Sequence, residues 1–219
     1  MQLRSLHRGS AILFFGFVSM HIANHLASLH SVALHIAVMN TLRSLYRQPA
    51  LELLILACVA FQAASGLVLV ARGWATRSGF VARLQAVSGT YLAFFLLVHV
   101  AAVLYGRIFL QLDTNFYYAA AGLHVHPFEW FFAPYYFLAV LAFFAHTGCA
   151  LYWRFRGSGP NIGRAVLTSA IVVGFVVSSL ITASLAGALE PVDIPSEYRA
   201  TYELRLIKVL ETGSWITSR

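Results

Sequence analysis

The chain has 219 residues, 59% of them hydrophobic and only 11% charged, with a formal net charge of +7. A soluble domain averages roughly 25% charged residues, so at a mean hydropathy of +0.74 there is too little polar surface to cover a soluble globule. The two cysteines, Cys58 and Cys149, fall inside apolar stretches, which excludes a disulfide framework and a zinc pattern and leaves buried, inert thiols.

Five stretches nearly free of charge remain, each long enough for a bilayer core of roughly 30 Å at about 1.5 Å per helical residue. They predict spans at Ser10–Leu29, Ala50–Ala71, Leu84–Tyr105, Trp130–Trp153 and Ala165–Leu189. The expectation is an all-α integral membrane protein with five transmembrane helices in residues 1–189, followed by a tail at 190–219. The first span is read as a true span and not a signal peptide. It carries His21, Asn24 and His25, exceeds an ordinary apolar signal core and lacks a clear small-x-small cleavage site.

Positive charge in the flanks sets the orientation. With the N-terminus cytoplasmic, the inner side holds Arg4, Arg8, Arg72, Arg77, Arg83, Arg154, Arg156 and Arg164 and no acid. All eight acidic residues fall outside: Glu52, Asp113, Glu129, Glu190, Asp193, Glu197, Glu203 and Glu211. The basic balance therefore reports topology and anionic lipid rather than nucleic acid. The expected place is the inner (cytoplasmic) membrane, multi-pass, with the N-terminus in and the C-terminus out.

After the first span, Val32, Ile36, Met39 and Tyr46 recur at roughly helical spacing within 31–47, which suits a helix in the interface. A second outer segment starts at Asp113-Thr114-Asn115 and is rich in aromatics. In the tail, Tyr198, Tyr202, Leu206 and Leu210 recur every four residues after Pro195-Ser196, as in an amphipathic helix. Tyr202, Leu204 and Leu206 also alternate, so a strand is the alternative. Either form would lie outside, where a partner could dock.

Ionisable residues deep in a span need a partner or a function. His21 lies about 16 Å above the inner edge of span one, and His99 about 22 Å above that of span three. The two spans run the same way, so both imidazoles fall in the outer half. A six-coordinate b haem needs such a pair, one axial nitrogen from each side of the porphyrin. His25, one turn beyond His21, could replace it, form an i,i+4 zinc pair with it, or contact haem propionates or a quinone. His146 lies about 24 Å down span four, in the inner half. Gln62 stands at its depth on span two, with Gly66 four residues on leaving room beside it. Gln62 could bond His146 directly and satisfy both polar groups without a cofactor. His7, His30, His35, His124 and His126 are assigned to solvated or interfacial positions outside the spans. None of the nine histidines then offers His146 an axial partner, so one bis-histidine haem is expected and a second is in doubt.

In order, the motifs Leu6-His7-Arg8-Gly9-Ser10, Phe17-Val18-Ser19-Met20-His21-Ile22-Ala23-Asn24-His25, Phe61-Gln62-Ala63-Ala64-Ser65-Gly66-Leu67, Leu84-Gln85-Ala86-Val87-Ser88-Gly89, Leu97-Val98-His99-Val100, Asp113-Thr114-Asn115-Phe116 and Phe144-Ala145-His146-Thr147-Gly148 resemble one family. It is the single-chain, five-helix cytochrome b membrane anchor of succinate dehydrogenase and fumarate reductase, and the resemblance covers roughly Leu6 to Leu189. That family binds two haems with ligands on its first four helices. The resemblance implies that His21 and His99 hold the outer haem iron and that His146 is one inner ligand. Gln62 departs from the pattern at the other inner position. Glu52 matches a carboxylate beside a quinone site, although an acid there also suits a helix N-terminus.

The resemblance further implies a non-catalytic electron-transfer subunit, with no catalytic residue of its own. It would pass electrons between cytoplasmic iron–sulfur and flavoprotein subunits and a quinone, menaquinone or ubiquinone, in contact with lipid, with homo-oligomerisation left open. Two alternatives stand beside it: a cytochrome b of another membrane oxidoreductase, and a haem-free structural or transport protein whose histidines are hydrogen-bonding glue.

Overall fold

The computed structural model describes residues 2–159 and 161–203. They form α1 (Gln2–Ala27), α2 (Val32–Tyr46), α3 (Pro49–Gly73), α4 (Phe80–Ile108), the short α5 (Phe116–Ala120), a 3-10 turn (Ala121–Leu123), α6 (Glu129–Phe155) and α7 (Ile162–Leu185). No strand occurs among the described residues. Helices α1, α3, α4, α6 and α7 are long and apolar enough to cross a membrane. Their outward faces carry large apolar side chains, including Ile12 (75% exposed) and Val172 (56%), as a lipid-facing surface requires.

Local chemistry sets the ends. Ser31 caps α2 by accepting from the Leu34 amide at 3.1 Å. Pro49 occupies the first turn of α3, where its missing N–H costs nothing, and Glu52 lies in that same turn. Helix α4 follows Gly79, whose φ of +84° favours glycine. Helix α7 closes on Gly187 (φ +70°), with Gly187 N bonded to Ser184 O and Ala188 N to Ala183 O, so it stops short of the expected Leu189.

The largest boundary correction is in α1, which begins at Gln2 rather than Ser10. Ser10 does not cap it; its hydroxyl bonds back to the Leu6 carbonyl at 2.9 Å. The exposed Arg4 and Arg8 end the apolar run but not the helix, because their heads reach water while the backbone stays helical.

Around the bundle, α1 packs on α3, α3 on α4, α4 on α6 and α6 on α7, and α7 meets α1 more lightly. Helices α6 and α7 approach most closely at glycines. A Cβ on Gly148 would lie 2.7 Å from Ala170 Cβ, and one on Gly174 would lie 2.5 Å from Phe144 Cβ. By contrast, the backbones of α1 and α4, of α1 and α6, and of α3 and α6 approach each other little or not at all among the described residues.

One end of the bundle carries a cap made from α2, α5, the 3-10 turn and the segment after α7. Its core is Phe116, Ala120, Ala121, Leu123, Ile181, Leu185, Ile194 and Tyr198, with Phe116 and Ala120 fully buried. Ser28 and Ser184 tie α1 to α7 beneath it at 2.8 Å. Residues 196–203 are helical, and Tyr198 and Tyr202 turn into the cap: Asn115 donates to the Tyr198 hydroxyl at 3.0 Å, and Tyr202 packs on Phe128 and Phe132. The continuation of the expected amphipathic pattern, Leu206 and Leu210, lies outside the described residues.

Candidate functional site

Directly under the cap, α1, α2 and α4 bring four imidazoles together. The rings of His21 on α1 and His99 on α4 meet edge-on, with centroids 6.0 Å apart and planes at 61°. His25, one turn on from His21, lies 4.8 Å from it, and His35 of α2 lies 5.1 Å from His25. Phe17 stacks on His21 and Phe95 on His99, each within 13° of parallel. Metal–imidazole bonds of roughly 2 Å put the centroids of two rings on opposite sides of one iron about 6 Å apart. His21 and His99 meet that spacing, and neither ring has a hydrogen-bond partner among the described residues. A small cavity of about 10 Å³ borders His21 and Asn24. A porphyrin between His21 and His99 would require the flanking Phe17 and Phe95 side chains to move aside.

The polar atoms around this cluster are incompletely paired. Asn24 donates its amide to His35 Nε2 at 3.2 Å, which leaves the proton of His35 on Nδ1. That Nδ1, Asn24 Oδ1 and His25 Nδ1 are all buried without a partner. Burial pushes His35 down to about 4, with His21 and Arg43 adding to the shift, so it is neutral at neutral pH. Orphaned buried polar atoms at this density are expensive. They fit a site whose other half is a bound polar group.

Further out, α2 directs Arg43 onto Asp113 Oδ1 (2.6 Å) and the Thr114 carbonyl (2.7 Å), and Arg47 reaches the Thr114 hydroxyl at 3.2 Å. Glu52 is ion-paired with Arg107 of α4. Glu52 is thereby anchored at the start of α3, and no hydrogen bond or ion pair joins it to His25 among the described residues.

Toward the opposite end, the arrangement differs from the sequence-based expectation. His146 and Gln62 do not form a polar pair. Gln62 donates to the His7 carbonyl (2.9 Å) and to Ser10 Oγ (2.6 Å), both on α1. His146 Nδ1 meets the Gln85 carbonyl at 3.0 Å and Ser88 Oγ at 3.4 Å, both on α4. The reason is the order of helices: α3 borders α1, α6 borders α4, and α3 and α6 are not neighbours. A shared depth did not mean a shared face.

His7 and His35, both expected outside the spans, are the other corrections. His7 lies within α1, bonded through Nδ1 to Ser65 Oγ at 2.7 Å and resting on Gly66. His35 is 2% exposed, because α2 folds its His35–Met39–Arg43 edge inward. That edge has a four-residue period in the sequence, as does the pair of Asn24 on α1 and Ser28 just beyond it, and these periods were the available signals. His30 remains exposed, and His126 pairs with Glu129 at 2.7 Å in the loop before α6. His124 meets the Leu185 carbonyl at 2.9 Å. No group of three or more His, Cys, Asp or Glu among the described residues is arranged to hold a metal ion. Set against known protein families, characterised proteins and solved structures, the chain matches none.

Proposed function

We propose that the chain is a membrane-embedded electron-transfer subunit that holds b haem between His21 and His99. The observation carrying this reading is the 6.0 Å separation of those two imidazoles across a diagonal of the bundle where α1 and α4 do not pack backbone to backbone. If the rings were hydrogen-bonding glue between helices, each would be expected to bond across its interface; neither does so among the described residues. Haem, when bound, supplies one-electron chemistry. The chain's own residues hold it and keep water out: Phe17 and Phe95 flank the ligand rings, and the Phe116 cap seals the end. His25, with its unpartnered Nδ1, is placed to meet a propionate or a quinone oxygen. Glu52, paired with Arg107, is a candidate edge of the quinone region.

On this reading the end with Arg72, Arg77, Arg83, Arg154, Arg156 and Arg164 is cytoplasmic and receives an iron–sulfur partner of the succinate dehydrogenase or fumarate reductase kind, in the inner membrane of the cell. The test is a reduced-minus-oxidised spectrum with haem quantification on protein purified in detergent. A low-spin b-type signal that disappears in His99→Ala and in His21→Ala is expected. Protein purified from haem-replete cells with no haem, or a signal indifferent to both substitutions, would remove the proposal. Co-purification of a flavoprotein and an iron–sulfur protein separates this role from that of another cytochrome b.

A further inference from the structure

The arginine-rich end of the bundle carries a groove far from His21 and His99. Helices α4 and α7 both pack on α6 and approach each other little or not at all among the described residues. Beside the last turn of α6 they leave a half-open groove of about 430 Å³. Tyr152 and Trp153 line it from α6, Ser78 and the first turn of α4 from one side, and Arg164, Leu167 and Thr168 from α7. That is the size of a small-molecule site and far more than one water needs.

The polar groups in the groove have no partner of their own. Arg164 and the hydroxyls of Ser78 and Thr168 make no hydrogen bond or ion pair among the described residues. Gly79 caps α4 without a side chain, so the amides of Phe80, Val81 and Ala82 add further free donors to the same wall. Trp153 is fixed by its indole N–H, which donates to Gln85 Oε1 at 2.9 Å, and the Arg156 guanidinium lies 4.9 Å from its ring centroid. One guanidinium therefore stands in the groove wall, and a second rests on the tryptophan that lines it.

Charge and depth together select the occupant. This side of the bundle holds eight arginines and no aspartate or glutamate. An anion here meets only opposite charge, whereas an ammonium group finds no carboxylate to pair with. Tryptophan marks the headgroup level of a bilayer, and the donors adjoin apolar surface: buried Leu167, Val81, and Phe80, which is 72% exposed. A soluble anion would use only the polar part. A phospholipid joins a phosphate to hydrocarbon, as the groove joins its donors to that apolar wall.

We propose that the groove between α4 and α7 binds one anionic phospholipid from the surrounding leaflet, with its phosphate at Arg164 and the Ser78 hydroxyl and with Arg156 at the rim. Basic pockets between helices at this level suit such headgroups. A zwitterionic lipid is selected against because its ammonium group meets arginines and no acid. The site stands whether or not haem is bound between His21 and His99.

The test is native mass spectrometry of delipidated, full-length protein in detergent, titrated with phosphatidylglycerol or phosphatidylethanolamine of the same acyl chains. Wild type should bind one phosphatidylglycerol at least about fivefold tighter than phosphatidylethanolamine. Arg164→Gln should weaken phosphatidylglycerol binding about fivefold and leave phosphatidylethanolamine unchanged. Thr168→Trp, which fills the groove and keeps every charge, should remove that bound lipid. Arg4→Gln, an equal loss of charge on α1, should change neither affinity. Equal affinity for the two lipids overturns the proposal, as does a tight phosphatidylglycerol that survives Thr168→Trp. Equal losses in Arg4→Gln and Arg164→Gln would mean diffuse attraction to a basic face and no built site. Displacement of the lipid by millimolar inorganic phosphate would make this a soluble-anion site and overturn it too.

Discussion

Arg43 Nη1 lies 2.6 Å from Asp113 Oδ1 while its other terminal nitrogen donates to the Thr114 carbonyl at 2.7 Å. The guanidinium is 9% exposed and the carboxylate 48%, so the pair joins a nearly buried charge to a half-solvated one. It fixes the start of the 113–123 segment against α2, and with it the position of Phe116 beside His35.

Removing the exposed partner should therefore cost more than its exposure suggests, because it leaves the buried guanidinium with only the Thr114 carbonyl. Asp113→Ala is expected to lower stability by about 2 kcal/mol, below the roughly 3–5 kcal/mol of a fully buried broken pair. Thermal unfolding in detergent reads it, and an unchanged midpoint would show that the pair does not anchor the cap.

A pH effect follows from His35. Its folded value lies at about 4 against 6.5 when unperturbed. Between those values the unfolded chain binds a proton that the folded chain refuses, so stability should fall as pH drops from 6.5 toward 4 and level off below. His35→Gln should flatten part of that slope. Melting curves at stepped pH in one detergent test it, and identical slopes for the two proteins would contradict it.

The α6–α7 contact should tolerate no side chain at Gly174, where a Cβ would meet Phe144 Cβ at 2.5 Å. Gly174→Val is expected to destabilise by about 1–3 kcal/mol through overpacking. Phe144→Ala in the same chain should recover part of the loss, a coupling that a double-mutant cycle measures. Strictly additive effects would argue that the two positions do not meet.

Topology is the remaining prediction. A reporter inserted at 72–83 should read as cytoplasmic, and one fused after Arg219 as outside, because arginines without acids gather at the first location and acids at the other end. A cytoplasmic C-terminus would reverse the assignment of faces.

The five long helices and the meeting of His21 with His99 were legible in the sequence, since hydropathy marks the helices and helical rise converts position into depth. Depth says nothing about azimuth. Gln62 and His146 share a level yet face different neighbours, and only the order of helices around the bundle decides that. His7 was missed because Arg4 and Arg8 end the apolar run while α1 continues to Gln2. His35 was missed because burial of α2 depends on the partner folded against it, supplied by residues far along the chain such as Phe116.

The cap has a consequence for the order of assembly. Its core joins α5 to Ile181, Leu185, Ile194 and Tyr198, and the Ser28–Ser184 bond spans 156 positions. During synthesis α1 and α4 emerge long before these partners exist, so the mouth above His21 and His99 stays unsealed until α7 and the segment behind it have been made. If the proposed haem is bound, that interval would be its opening to enter between α1 and α4. Once Ile194 and Tyr198 dock, whatever lies beneath the cap is enclosed, and its escape would require undoing contacts contributed by these late residues.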